Sequence, residues 1–311
     1  MTLSTLPASV GPSDVPLLAT LRAGDAVDGV FACTRKERLA TRSGSPYLAL
    51  ELRDRSGSLP ARLFRDADLH GGRFDSGDLV AVSGRVARFR EELQVELERI
   101  ARVATQDSDP TRFLPVAYRD LDELEGFLEH LAREVYEPGY RRLLEALLAD
   151  SSLRAAWRLA PCTRAGHHAY LGGLLEHTVA VATLAQEVAL QHPRLDRDLL
   201  LCAAIVHDLG KTREFNLGAT IELSDAGRLV GHVALGLELI GGYAARRLDA
   251  GRLLALNHCV LCHHGPDAAP AQRFQSAEAL ALYRINALDA SIKGALEQGL
   301  APRRRAPQPA A

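Results

Sequence analysis

Nowhere in this 311-residue chain do eighteen apolar residues follow one another, so no segment reaches the roughly 20-residue apolar length that a membrane-spanning helix needs. The first thirty residues also lack a basic start followed by an apolar stretch and a small-residue cleavage site, the pattern of a secretory leader. Five cysteines, Cys33, Cys162, Cys202, Cys259 and Cys262, are too few and too irregular for the disulfide framework of a secreted scaffold. These absences predict a soluble, unexported cytoplasmic protein with no membrane partner. Net charge is low as well, at −2, so nothing global demands a polyanionic partner, although a local basic face fits inside a near-neutral total. No internal repeat at a fixed period is present, which argues against a solenoid or propeller. Gly210-Lys211-Thr212 imitates the end of a phosphate-binding loop, but the first glycine of that motif would have to stand at Ile205.

What is present is apolar material, 47% of the residues, enough for the two domains that this length predicts. Residues 1–15 and 301–311 (APRRRAPQPAA) are too polar or too proline-rich to bury surface, and read as disordered tails. Over 16–105 the segments DAVDGVFACT, PYLALELRD, SLPARLF, DLVAVSGRVARF and ELQVELERIARV show strand character between Gly, Ser, Pro and Asp breaks. Five strands, with room for a helical turn at 65–74 between the third and fourth, predict a five-stranded OB barrel. Gly84 inside the fourth strand supplies the bulge that closing a small barrel requires. Residues 106–119 read as a linker. From 120 to 300 apolar residues recur three and four apart in segment after segment, which predicts an all-helical second domain. The fold class is therefore multidomain, β followed by α. The acidic stretch 120–129 reads as a solvated helix face.

His207 and Asp208 close the apolar segment LLLCAAIVHDLGK. Alone, such a dipeptide reads as a satisfied polar contact or a cap. The ordered set around it changes that reading: His177 in the preceding helix, His232 opening the following one, His263 and His264 closing the next, and Asp289 inside the last. Buried imidazoles and carboxylates are costly without partners, and shared metal ions would remove the cost. Cys259-x-x-Cys262, mid-helix and without a second pair, reads as two small core residues. His258, off the ligand face, reads as a packing residue.

The run H…HD…H…HH…D resembles the HD-domain superfamily of metal-dependent phosphohydrolases, whose fold is all-helical. The resemblance implies that His177, His207, Asp208 and Asp289 hold one ion, and that Asp208 bridges to a second held by His232, His263 and His264. GHHAYLGGLLEHT, HDLGK, GH and CHHG, behind an amino-terminal OB domain with SPYLALELRDRSG and SGDLVAVSGRV, are similar to the YhaM-type 3′-to-5′ exoribonucleases over residues 20–295. Paired ions would lower the pKa of a bridging water and polarise a phosphate, the chemistry of two-metal hydrolysis. Lys211, one turn beyond Asp208, is placed to meet a phosphate oxygen. Of the paired histidines His167 and His168, the reading names His168 as the candidate that contacts substrate or protonates the leaving group, with a structural role as the equal alternative. Five imidazoles beside two carboxylates favour two manganese, iron, cobalt or zinc ions over magnesium, and the resemblance favours manganese.

In the barrel half Arg35, Lys36, Arg38 and Arg42 cluster in one loop region, and Arg85, Arg88 and Arg90 around the end of the fourth strand. Phe31, Tyr47, Phe64 and Phe89 are candidate base-stacking platforms beside them, with filling of the barrel as the alternative for most. The expected activity is 3′-to-5′ exonucleolytic hydrolysis of single-stranded RNA, with single-stranded DNA as a further candidate substrate. Two alternatives accompany it: an HD phosphohydrolase of nucleotides or small phosphodiesters, and a non-catalytic single-strand-binding regulator. The sequence sets no subunit number.

Overall fold

The structure, a computed structural model, describes residues 17–104 and 109–298; the segments 1–15 and 301–311, read as tails, lie outside the described residues. The described residues divide into two compact units, one running to Pro115 and taking in Leu217–Thr220, the other starting at Val116.

The first unit is a closed barrel of β1 (Ala26–Ala40), β2 (Pro46–Asp54), β3 (Gly57–Leu63), β4 (Leu79–Phe89) and β5 (Glu92–Val103) in the order β1-β2-β3-β5-β4. β4 pairs back onto β1, and β3–β5 is the one parallel pair. This is the OB barrel that the strand pattern predicts, with α1 (Ala67–Gly71) in the break between β3 and β4. Period-two alternation sends Leu48, Leu50 and Leu52 of β2 inward with Ala61, Leu63, Val80, Val82, Val95 and Leu97, each large apolar side chain contributing about 1.5–3 kcal/mol. The inward parity of β5 switches between Leu97 and Ile100 because the β4–β5 register shifts at Ser83/Gly84. Gly84 permits that shift. A Cβ there would lie 2.2 Å from the Glu96 carbonyl oxygen.

Part of the stretch read as linker carries structure of its own. Asp109 caps a short turn, Pro110–Arg112, and Phe113 is buried with Ala32, Leu79 and Ala219. Val116 bridges Leu171 within the second unit.

The second unit contains α2 (Leu121–Arg133), α3 (Pro138–Ala149), α4 (Ser151–Leu159), α5 (Gly173–Gln191), α6 (Arg197–Val206), α7 (Lys211–Glu214), α8 (Asp225–Leu229), α9 (Gly231–Ala244), α10 (Ala250–Cys262) and α11 (Ala277–Gln298). Their starts are written in the sequence: Asp120, Glu137, Asp150, Asp196, Ser224 and Asp249 each accept a backbone N–H at the first turn of α2, α3, α4, α6, α8 and α10. α6 is apolar all round and buried on every side from Leu199 to Val206, as a central helix must be. Cys259 and Cys262 lie in the same core. In the acidic stretch, Leu124 and Leu128 turn inward, while Glu125 accepts from Arg154 and Arg158 on α4. A two-stranded hairpin, β6 (Phe215–Leu217) and β7 (Ile221–Leu223), adds the one sheet described outside the barrel. Among the described residues no helix is long and apolar enough to cross a membrane.

Gly84→Val should destabilise the barrel by at least about 2 kcal/mol, since the added side chain must push the β5 backbone aside. Hydrogen exchange of the β4 and β5 amides checks it; unchanged protection would show that the bulge does not need glycine.

Candidate metal centre

The central position of α6 decides where its end goes. The two residues after Val206 are carried into the interior, leaving His207 0% and Asp208 2% exposed. Around them converge His177 from α5, Lys211 from α7, His232 from the start of α9, His263 and His264 after α10, and Asn286 and Asp289 from α11. Two glycines make the approach possible. A Cβ on Gly210 would meet the His232 carbonyl oxygen at 1.9 Å, and one on Gly173 the His168 carbonyl oxygen at 2.2 Å.

Three imidazoles have one nitrogen occupied by an acceptor. His207 Nδ1 donates to the Ala204 carbonyl at 2.8 Å, His263 Nδ1 to the Val260 carbonyl at 2.6 Å, and His232 Nδ1 to Glu214 Oε1 at 3.1 Å. Each therefore presents a bare Nε2 lone pair, the arrangement that orients metal-binding histidines. His177 Nδ1 donates to Asp289 Oδ2 at 2.6 Å, which leaves its Nε2 facing His207 Nε2 at 3.2 Å and Asn286 Oδ1 at 3.0 Å. Across the carboxylate, His232 Nε2 faces His264 Nε2 at 3.0 Å. Asp208 Oδ1 lies 3.3 Å from His263 Nε2 and 3.5 Å from His232 Nε2. Asp208 Oδ1 and His263 Nε2 are buried without any hydrogen-bond partner. In these tautomers acceptors face acceptors, and a cation between them would reconcile them.

Three sets of donor atoms come close enough to share an ion: Asp208 with His232, His263 and His264; Cys162 with His177 and Asp208; and His168 with His177 and Asp289. The donor chemistry thus fits divalent ions at Asp208. Burial pushes His177, His207 and His263 below the ordinary imidazole value, keeping them neutral and able to bind. His264, at the rim, is lowered by burial and by its neighbour His263. Burial alone would raise Asp208, but Lys211 and then His207 hold its carboxyl well below the usual range. Lys211 Nζ donates to Asp208 Oδ2 at 2.6 Å and lies 3.4 Å from Cys162 Sγ.

The paired histidines take different places. His168 is 1% exposed and is held away from the cavity: its Nε2 donates to Asp289 Oδ2 at 3.1 Å and its Nδ1 to the Tyr170 hydroxyl oxygen at 3.0 Å. Tyr170 in turn donates to Glu176, which Lys293 also reaches. His167 instead lines the cavity of about 580 Å³ beside Asp208, with Cys162, Arg164, Lys211, His263 and His264. Asp289, expected as an ion ligand, has its Oδ2 shared between His168 and His177. Sequence reasoning missed Cys162, Arg164, Glu214 and Asn286. Of these only Asn286 carried a signal, three residues before Asp289 and so on the same helix face.

On the barrel, Arg35 pairs with Glu37, Arg38 with Asp68, and Arg88 with Glu91, all exposed. Arg42 is exposed in the β1–β2 turn. Tyr47 and Phe64 stack with ring centres 5.3 Å apart, and Phe64 is half exposed. Arg90 lies over the exposed Phe89 ring in the tight β4–β5 turn. Two candidates have partners within the barrel. Phe31 fills the barrel core, and Lys36 spends its ammonium on the Gly71 and Phe74 carbonyls and Asp75. A cleft of about 420 Å³ on the outer face of β1–β3 is lined by Arg35, Glu37, Glu51 and Arg62 among others.

Comparison with known proteins agrees with this architecture. Residues 174–291 match the HD domain, and 32–103 match an OB-fold nucleic acid binding domain. The chain is 29% identical over 282 residues to the 3′-5′ exoribonuclease YhaM of Shouchella clausii, covering 87% of this chain and 85% of that protein. It is 29% identical over 244 residues to the protein of the same name from Bacillus subtilis, covering 78% and 77%. A single-stranded DNA binding protein from Thermus aquaticus is 23% identical over 27% of this chain and 42% of its own, with a TM-score of 0.25.

Two outcomes test this geometry. Glu214→Gln weakens the acceptor that holds His232, and should lower affinity for divalent ions about 10- to 100-fold by isothermal titration. Glu176 is pushed down to about 2: burial would raise it, but His168, Tyr170 and Lys293 outweigh that. A depressed folded pKa contributes stability that is full above the ordinary glutamate value and is lost as pH falls toward the folded one. Glu176→Gln should therefore cost about 1–3 kcal/mol at neutral pH, and the gap in melting temperature should narrow below about pH 4 and close only near pH 2. A gap that persists in acid would show that the carboxylate charge is not its source.

Proposed function

We propose that this chain, an OB-fold domain joined to an HD domain and related over most of its length to the YhaM exoribonucleases, is itself a metal-dependent 3′-to-5′ exoribonuclease. The observation that carries the reading is the pair of acceptor clusters on the two sides of one buried carboxylate, Asp208, opening onto a cavity. Two divalent ions held there, manganese first and iron, cobalt or zinc next, would supply an activated water and neutralise charge on a phosphoryl group. His207, His177 and Asp208 Oδ2 form one face; His232, His263, His264 and Asp208 Oδ1 form the other.

The remaining residues act on the substrate. Lys211 and Arg164 line the cavity and bring positive charge to phosphate oxygens. His167, kept neutral by burial, offers a ring N–H to the same group. His168 works from behind: it shares Asp289 with His177 and so fixes the His177 ring. The barrel supplies what a single strand needs, a stacked aromatic pair at Tyr47 and Phe64 and the cations Arg35, Arg38, Arg42, Arg88 and Arg90.

A 5′-labelled oligoribonucleotide with Mn²⁺ should give a ladder of shortening products, and Asp208→Ala should slow it about a thousandfold or more, the loss of ~4 kcal/mol of transition-state stabilisation. No ladder with any divalent ion, or equal loss of substrate with Asp208→Ala, would sink the reading. Turnover of small phosphodiesters alone would point to a nucleotide phosphohydrolase, and a parallel oligodeoxyribonucleotide reports on DNA.

A further inference from the structure

Among the atoms that converge on Asp208 there is one that no histidine pattern accounts for, the thiol sulfur of Cys162. It lies in the loop between α4 and α5, 1% exposed, and the loop holds it there. Its backbone N–H donates to the His168 carbonyl at 3.0 Å, and Thr163 closes the loop onto the His167 carbonyl at 2.8 Å. Sγ stands 3.8 Å from Asp208 Oδ2, and with His177 it forms a set of three donor atoms all within 4.8 Å of one another.

One cation already sits where these atoms meet. Lys211 Nζ is 2.6 Å from Asp208 Oδ2 and 3.4 Å from Cys162 Sγ, so oxygen and sulfur point at a single positive charge. The unpartnered Oδ1 of the same carboxylate and the Nε2 of His263 lie on the other face, so on this face the acceptors converge on Lys211 alone.

We propose that Cys162 is a sulfur ligand for the ion shared by His177 and Asp208 Oδ2, and that the Lys211 ammonium is the stand-in for that ion when it is absent. The proposal rests on the reading above that Asp208 holds divalent ions. Loading exchanges one proton for the ion: the S–H bond breaks, a metal–sulfur bond forms, and the proton passes to water. Displaced from Oδ2, Lys211 remains tethered in the cavity wall, where phosphate binds. Sulfur is a soft donor, so this face favours zinc, cobalt or iron over manganese, and the manganese-first order given above then applies to the all-nitrogen and oxygen face formed by His232, His263, His264 and Asp208.

The test titrates the chelator-treated full chain with Co²⁺ alone, counting bound cobalt and recording the near-ultraviolet spectrum. Wild type should develop a sulfur-to-cobalt charge-transfer band. Cys162→Ser should lose it and bind one of the cobalt ions at least about tenfold more weakly, while Cys33→Ser, in the barrel, keeps it. Should Cys162→Ser or Cys162→Ala fail to fold by circular dichroism, X-ray absorption of zinc-loaded wild type decides: a sulfur shell at about 2.3 Å supports the proposal, and nitrogen and oxygen alone at about 2.0–2.1 Å overturn it. Cobalt bound by wild type without the band, or a band unchanged in Cys162→Ser, overturns this proposal and leaves the metal centre standing. No cobalt bound by wild type overturns the metal centre itself.

Discussion

A single buried carboxylate organises the helical unit. Asp208 lies 2% exposed just past the carboxyl end of α6, where the helix dipole is negative and a second negative charge is unwelcome. Placing it there without compensation would cost several kcal/mol. The surrounding chain is arranged to meet that cost. Lys211 comes from the next turn, and four imidazoles arrive from α5, the end of α6, α9 and the end of α10 to within 3.3–3.6 Å of its oxygens. Removing Asp208 would leave these groups with no common partner.

The supporting atoms have a shared logic. His207 and His263 each follow an apolar helix, and each donates Nδ1 to the carbonyl three residues back. Those carbonyls belong to the last turn, where helix geometry leaves them unpaired. One hydrogen bond thus satisfies the helix end and fixes the tautomer of the ring. His232 starts its helix and so cannot use this device. It takes Glu214 instead, whose Oε1 also accepts the His232 backbone N–H, and Gly210 provides the close approach between α7 and α9.

Legibility in the sequence followed periodicity. The barrel was readable because five alternating segments and one glycine bulge leave few other ways to close a sheet, and the helices because their apolar spacing and acidic caps are local signals. The hairpin β6–β7 was not, since only three residues on either side of Gly218 to Thr220 form strands, too short for a period to register. At the site, histidines and aspartates stood out as ionisable groups in apolar segments. Asn286, Glu214 and Cys162 did not. An amide or a thiol in a helical or loop context looks ordinary until the fold shows what it touches, and which of His167 and His168 faces the cavity depends on a positive φ at His168 that no pattern encodes. Lys36 makes the same point on the barrel. Its charge was visible, but its three acceptors near Gly71–Asp75 are contributed by a segment some 35 to 39 residues away.

The two sides of Asp208 are electrostatically unequal. Oδ2 has an ammonium at 2.6 Å, whereas Oδ1 has only imidazole nitrogens around it and no hydrogen-bond partner. A cation arriving at Oδ1 gains the full attraction of an uncompensated acceptor cluster, and one arriving at Oδ2 must first separate a buried ion pair, which is expensive in a dry interior. Were Oδ1 neutralised by an ion, the hold of the carboxylate on Lys211 would weaken, because the same negative charge would then be shared between two cations. On the proposed two-ion reading, filling one face would therefore ease the opening of the other, and the residue freed would be the one whose charge a phosphate would use.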